Sequence, residues 1–481
     1  MLRSARSLEI LQWLVAVGFF MQTLDSTIVN TALPAMAISL GERPLNMQSV
    51  VIAYALTMAM LIPASGWLAD RFGIRRAFLT AITLFVAGSL LCAASRSLLE
   101  LDGARVLQGA GGAMLLPVGR LAILRAFPRE KLLPAMSFIA IPGLLGPLIG
   151  PTLGGWLVEV ASWHWIFLIN VPIGIAGAAA TFAYMPDNRE RRVPRFDATG
   201  YALLALGMVA VSFGIDGLSE LALRHATVLI LVVFGLASLS AYWLRAPQQS
   251  HPLFAPSLFR TSTFAIGLLG NLFARLGSGS IPFLIPLLLQ VSLGYTPLHS
   301  GLMMLPTSIG AILSKRLVTP LITRYGYRRT LVVNTFLVGA AMASFALLSA
   351  TEPLAIAIVQ LGLFGIVNSL QFTAMNTVTL KDLSGASASS GNSLLSMIQM
   401  LSMSLGVAAA AGLLTTFVDV FSRDPAPRLP AFRATFVCVG LMTAASAWIF
   451  WQLAADRGGS GGALAAAEEP ELAATKTTES T

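Results

Sequence analysis

Gly66-Trp67-Leu68-Ala69-Asp70-Arg71-Phe72-Gly73-Ile74-Arg75-Arg76 is a short basic turn between two long apolar runs. The run before it begins near Gln48, and the run after it extends from Ala77 to Ser95. Each has about 20 residues, the length that crosses a hydrocarbon core of roughly 30 Å. So short a turn makes the two runs adjacent helices that meet on one side of a bilayer, and its three arginines assign that side to the cytoplasm.

The whole chain fits this reading. Of its 481 residues 56% are hydrophobic and only 11% charged, and the mean hydropathy is +0.77. A water-soluble surface cannot be built from such a composition, so lipid is the solvent and the fold class is an all-α integral membrane protein. The formal charge of +9 would suggest nucleic acid in a soluble protein. Here the basic residues collect in alternate loops, which reports topology and not a polyanionic partner. Cys92 and Cys438 lie in separate apolar runs and read as packing residues. Arg3 and Arg6 ahead of the first apolar run resemble a signal peptide, but no small-residue cleavage site precedes Asp25, so the run reads as a retained first span.

Fourteen apolar segments follow in order, near 10–34, 48–69, 77–95, 101–124, 134–158, 163–185, 198–217, 226–245, 263–291, 300–321, 330–349, 353–379, 390–417 and 433–454. With both termini in the cytoplasm, the cytoplasmic segments hold 20 of the 31 Lys and Arg residues, the outer loops 6 and the spans 5. That bias supports the orientation. One outer loop, with Arg423, Arg428 and Arg433, runs against it.

Thr319 to Arg329 reads TPLITRYGYRR, where Arg324, Gly326, Arg328 and Arg329 echo Arg71, Gly73, Arg75 and Arg76. The repeat predicts two pseudo-symmetric six-helix bundles, 1–186 and 261–455. Residues 187–260 form a basic linker with Arg189, Arg191, Arg192 and Arg195 and two inserted spans, and 456–481 is a disordered tail.

Polar groups inside the spans are the candidate machinery, because each charge there costs several kcal/mol unless it is paired or faces a wet cavity. Asp25 is the one clearly central acid, with Gln22 and Ser26 beside it on the first span, and its plain structural reading is a pair with an arginine. Arg105 shares a helical face with Gln108, and Arg275 lies near the middle of the ninth span with Asn271 and Ser278 on its face. Arg120, Lys315 and Arg316 lie nearer the cytoplasmic ends, either reaching into the passage or snorkelling to headgroups. Asn368 and Gln371, and Asn392, Ser396 and Gln399 at helical spacing, either bind substrate or join helices. On the fifth span Gly143, Gly146, Gly150 and Gly154 form one face, with Pro147 and Pro151 beside it. Such a face lets another backbone approach closely, as static packing or as a surface that slides.

Four segments together resemble the major facilitator superfamily, and in particular its fourteen-helix drug/proton antiporter branch. Gly66 to Arg76 is similar to the superfamily loop signature and LDGARVLQGAGGA (101–113) to its fourth-helix signature. GLLGPLIGPTLGG (143–155) resembles the antiporter signature of helix five, and LDSTIVNTALP (24–34) the first-helix signature of the branch. The branch usually carries an arginine where Trp163 and Trp165 here bracket His164. The resemblance implies a major facilitator fold of 14 transmembrane helices (6+2+6) in a bacterial inner membrane. It further implies proton coupling through Asp25 and Arg105, and a conformational role for Gly66, Asp70, Arg71, Gly73, Arg75, Arg76 and the helix-five glycines and prolines. By the same resemblance, Asp70 helps lock the cytoplasmic ends of the two halves together in the outward-facing state.

No phosphate-binding loop or metal-ligand spacing is present, so an enzyme is not expected, and the energy source is a proton gradient with no cofactor. The expected protein is a monomeric, proton-coupled exporter of small molecules. Five cations in the spans against one clear acid suit an organic anion such as citrate. Gln22, Gln108, Asn271, Arg275, Asn368, Gln371, Asn392 and Gln399 are its candidate binding residues. Export of amphipathic cationic drugs, or import of a metabolite by the same fold, remain the alternatives, and a non-transporting membrane sensor is disfavoured.

Overall fold

The computed structural model describes residues 5–186, 193, 195–217, 225–349, 353–421 and 429–454. Arg189, Arg191 and Arg192 expected in the linker, Arg423 and Arg428 expected in an outer loop, and the expected tail 456–481 lie outside the described residues. Among the described residues every regular element is helical. In lipid the backbone must satisfy its own polar groups, and a helix does this within one segment.

The first bundle comprises α1 (Ala5–Leu40), α2 (Gln48–Phe72), α3 (Ile74–Ala94), α4 (Leu98–Ala126), α5 (Arg129–Val160), the single turn α6 (Trp165–Leu168) and α7 (Asn170–Tyr184). Helices α8 (Ala198–Asp216) and α9 (His225–Arg245) form a hairpin. The last bundle runs through α10 (Ser262–Ser278), α11 (Ile281–Leu287), α12 (Pro297–Met303), α13 (Leu305–Ser344), α14 (Leu354–Leu380), α15 (Gly385–Phe421), α16 (Leu429–Ala445) and α17 (Ala447–Trp451).

Local chemistry sets the ends. Ser97 caps α4 by accepting from the Glu100 N–H, while the Glu100 carboxylate accepts from the Arg96 N–H, close to a capping box. Gly73 ends α2 and starts α3 with φ 93° and ψ 145°, a conformation open essentially only to glycine. Gly326 repeats the device inside α13 at φ 75° and ψ 166°. There the basic turn is so tight that two helices run on as one, and the apolar stretch Pro297–Leu347 counts 51 residues. At 1.5 Å per residue it would be about 76 Å long, over twice the hydrocarbon thickness. The thirteen long apolar helices among the described residues are therefore compatible with fourteen crossings.

The two bundles share one core at the end away from Gly73 and Gly326. Ile28, Leu33, Val51 and Ala104 of the first bundle are buried together with Phe283, Leu288, Phe364 and Phe436 of the last. Among the described residues, four hydrogen bonds cross between the bundles there, from Gln290 Nε2 to the Thr31 carbonyl (2.9 Å), Thr152 Oγ1 to the Gly301 carbonyl (3.2 Å), the Leu298 N–H to Glu159 Oε2 (3.3 Å) and Ser308 Oγ to the Pro147 carbonyl (3.1 Å). Toward Gly73 and Gly326 the cores divide, one around Phe78 and Ile123 and another around Leu331 and Met375. A flank formed by α2 and α15 holds the bundles together there, with the inserted hairpin packed against it. Gln48 Nε2 of α2 ties the hairpin down by donating to Asp216 Oδ1 (2.8 Å), and the Asp197–Arg245 ion pair (2.7 Å) clasps its two helices together at the opposite end.

Candidate functional site

The first bundle buries its only central acid against a cation. Arg105 Nη1 of α4 lies 2.6 Å from Asp25 Oδ2 of α1 and donates equally closely to Gln108 Oε1. Gln108 Nε2 donates to Asp25 Oδ1 at 2.7 Å and to Ser89 Oγ at 2.8 Å, and Asn170 Nδ2 reaches Asp25 Oδ1 at 3.1 Å. The guanidinium stacks over Tyr54 at 4.1 Å, and its Nε donates to the Val50 carbonyl. Asp25, Gln108 and Ser89 are 0% exposed. Asp25 thus receives three donors from two other helices, and the ion pair is sealed inside one bundle. Gln108 is spent on this network and presents no free amide to a passage. Gln22, one turn before Asp25, is partly exposed, and its Oε1 is buried with no hydrogen-bond partner.

The last bundle holds the opposite arrangement. Arg275 on α10 stacks over Phe372 of α14 at 4.6 Å. It has no carboxylate partner among the described residues, and its Nε is buried without an acceptor. The sequence explains the isolation, because from Ser262 to Lys381 the only acid is Glu352, which lies outside the described residues. Lys315 of α13 donates to Thr373 Oγ1 of α14 at 3.0 Å, one residue along from Phe372. Arg120 is partly exposed and Arg316 exposed, and neither has an ion pair among the described residues.

The amides divide by surroundings. Asn271 is buried and donates to the Gly267 carbonyl, and Gln399 Nε2 joins it to Asn376 at 3.5 and 2.8 Å. Gln371 is also buried, with Asn334 donating to its Oε1 (2.8 Å) and its Nε2 donating to Thr335 (2.7 Å), so it ties the two arms of the last bundle together instead of facing a passage. Asn368 lies one turn before Phe372 on α14 and is partly exposed, as are Asn392 and Gln399 along α15.

The conformational motifs are placed as follows. Asp70 pairs with Arg125 of α4 at 2.5 Å, within its own bundle, so in this conformation it locks no contact between halves. Arg75 Nε donates to the Met185 carbonyl past the end of α7 (2.6 Å), while Arg71 and Arg76 are exposed and Gly66 has open space where a side chain would stand. Gly143, Gly146, Gly150 and Gly154 all face α1, against Phe19, Thr23, Thr27 and Ile28 of the same bundle, while the Pro147 and Pro151 carbonyls meet Ser308 and Gly301 of the last bundle. Sequence reasoning missed the glycines that serve the contact between bundles. A methyl group on Gly155 would strike the Pro297 carbonyl, and one on Gly301 the Pro151 carbonyl. Gly155 closes the quoted helix-five motif, and only its one-residue offset from Gly154 marks it for another face. His164 stacks on Trp163 at 3.8 Å at the turn before α6, and burial holds its ring below the usual histidine range.

A family profile described as the Major Facilitator Superfamily matches residues 15–407, most of the chain. The chain belongs to this family. It is 50% identical over 446 residues to a protein of Serratia proteamaculans named "Putative multidrug resistance protein MdtD", covering 92% of this chain and 93% of that one. A protein of the same name from Yersinia enterocolitica is 49% identical over 448 residues, covering 93% and 95%. Among solved structures, a POT family transporter in complex with 5-aminolevulinic acid superposes with a TM-score of 0.68 at 16% identity, covering 92% of this chain and 95% of that one. A mutant of the nucleoside transporter NupG superposes at 0.64 and 12% identity, covering 92% and 98%. At those identities the likeness speaks for the fold alone. The chain is a multi-pass membrane transporter of the major facilitator fold.

Proposed function

We infer that this transporter exports small organic anions, citrate being a suitable example, in exchange for protons across the bacterial inner membrane. The positive-inside bias puts the Gly73 and Gly326 turns in the cytoplasm, so the shared core closes the outer end. The observation that carries the reading is the uncompensated charge of Arg275. An arginine at the centre of a span costs about 3 kcal/mol or more, while stacking on one aromatic ring returns about 0.5–2 kcal/mol. The remaining cost is lifted when a negatively charged substrate arrives.

Proton coupling is assigned to the first bundle. A proton on Asp25 removes the charge that holds Arg105, so protonation and the ion pair exclude one another. The loosening reaches α1 and α4 together because the pair joins them. No cofactor enters this scheme, which needs only the proton gradient. The names of the relatives favour a second reading, efflux of amphipathic drugs, for which the Met-rich spans offer adaptable apolar contacts.

Substrate-dependent proton flux in proteoliposomes separates the two readings, with citrate and a cationic dye such as ethidium run side by side. Arg275→Gln abolishes citrate-driven flux on the anion reading. Undiminished citrate flux in that variant, or flux with ethidium alone, ends it.

A further inference from the structure

We propose that Lys315 is the second charge-binding residue of the transport passage and selects substrates carrying two negative charges over those carrying one. This rests on the anion reading above and adds to it a residue and a charge count.

Lys315 lies seven residues, or two helical turns, after Ser308 on α13, and so on the same helix face. Ser308 is where that face touches the other bundle, through the Pro147 carbonyl of α5. Two turns further on the face is uncovered, and Lys315 is exposed. The exposed side chain therefore lies on the face that meets the other bundle two turns earlier. A lysine facing lipid would extend along the helix to the headgroups. This one reaches sideways to Thr373 Oγ1, whose own hydrogen is donated to the Ser369 carbonyl at 3.0 Å.

The hydroxyl is a neutral resting place. It gives the ammonium group one acceptor without cancelling its charge. Arg275 meets α14 at the preceding residue, through the Phe372 ring. Two cations thus approach consecutive positions of α14, and the span region of this bundle has no carboxylate among the described residues to neutralise either. A monoanion satisfies one of them and leaves the other with Thr373. A dianion engages both.

The test uses the full chain in proteoliposomes with succinate and its monomethyl ester, which share a skeleton and differ by one charge. The wild-type protein is expected to prefer succinate. Lys315→Gln should raise the KM for succinate about tenfold, the worth of one charge-assisted contact, and leave that for the ester within about twofold. Lys315→Arg should restore the preference. Both KM values come from one preparation, so a lower yield of the variant cancels in their ratio. Equal KM values in the wild type, or an equal change for both acids in Lys315→Gln, overturn the assignment while Arg275→Gln still shows that anions are carried. Failure of the wild type to carry either acid, with ethidium exchanged for protons, removes the anion reading and this one with it.

Discussion

Arg105 and Asp25 meet at 2.6 Å although 80 positions separate them, and their side chains are 2% and 0% exposed. The central acid Asp25 is thereby bound to the first bundle, and Arg275 and Lys315 of the last bundle have no carboxylate partner among the described residues.

Asp25→Asn keeps the shape of the site and strands Arg105 as a buried charge. It should cost about 3–5 kcal/mol, and Asp25→Asn with Arg105→Gln should recover most of that loss. Thermal melts in detergent measure both. The double variant should remain without proton-driven transport, and a double variant that melts no higher than the single one contradicts the pairing energy assigned here.

Gly155→Val places a side chain against the Pro297 carbonyl, which is backbone and cannot swing aside. Overpacking of about 1–3 kcal/mol against this contact between bundles shifts the two-state balance about tenfold toward the form in which it is open. Spin labels at the C-terminal end of α5 and the N-terminal end of α12 should report a longer distance. An unchanged distance distribution would mean that the contact does not govern closure.

Gly73→Ala and Gly326→Ala each force a side chain into a conformation that costs about 1–3 kcal/mol, and the two losses should add because the sites lie in different bundles. Gly66→Ala is the control. It sits inside α2 with open space around it, so alanine should be neutral or stabilising by about 0.5–1 kcal/mol. Melting of the four proteins, including the double variant, checks the ranking.

His164 prefers its neutral form in the folded chain because burial pushes its pKa down. The unfolded chain takes up the proton more readily, so stability falls as pH drops through about 6.5 and is level above it. His164→Gln should flatten that part of the melting curve between roughly pH 5 and 8. The same slope in both proteins would place its origin elsewhere.

Much of this architecture is legible in the sequence, for physical reasons. Apolar length marks the helices because lipid imposes it, and the two GxRR turns announce related bundles because glycine alone fits their backbone. The fusion of two crossings through Gly326 is not legible, since hydropathy does not show that a turn is tight enough to continue the helix. Partners are harder still. The sequence offers Arg105 and Arg275 as equals, and only packing shows that Asp25 answers the first. The glycine row of α5 reads in the sequence as a place of close approach, but its spacing does not say that the neighbour is α1. Gln371 looks as available as Asn368, because an amide three residues away on the same helix can face a neighbouring arm or an opening.

Among the described residues, each of the four hydrogen bonds joining the bundles away from Gly73 and Gly326 pairs a side chain with a main-chain group. Removing one side chain subtracts about 0.5–1.5 kcal/mol, and the main-chain partner opposite cannot be substituted away. A lineage can therefore adjust how firmly this door shuts one residue at a time, from either leaf, without waiting for a matching change across the seam.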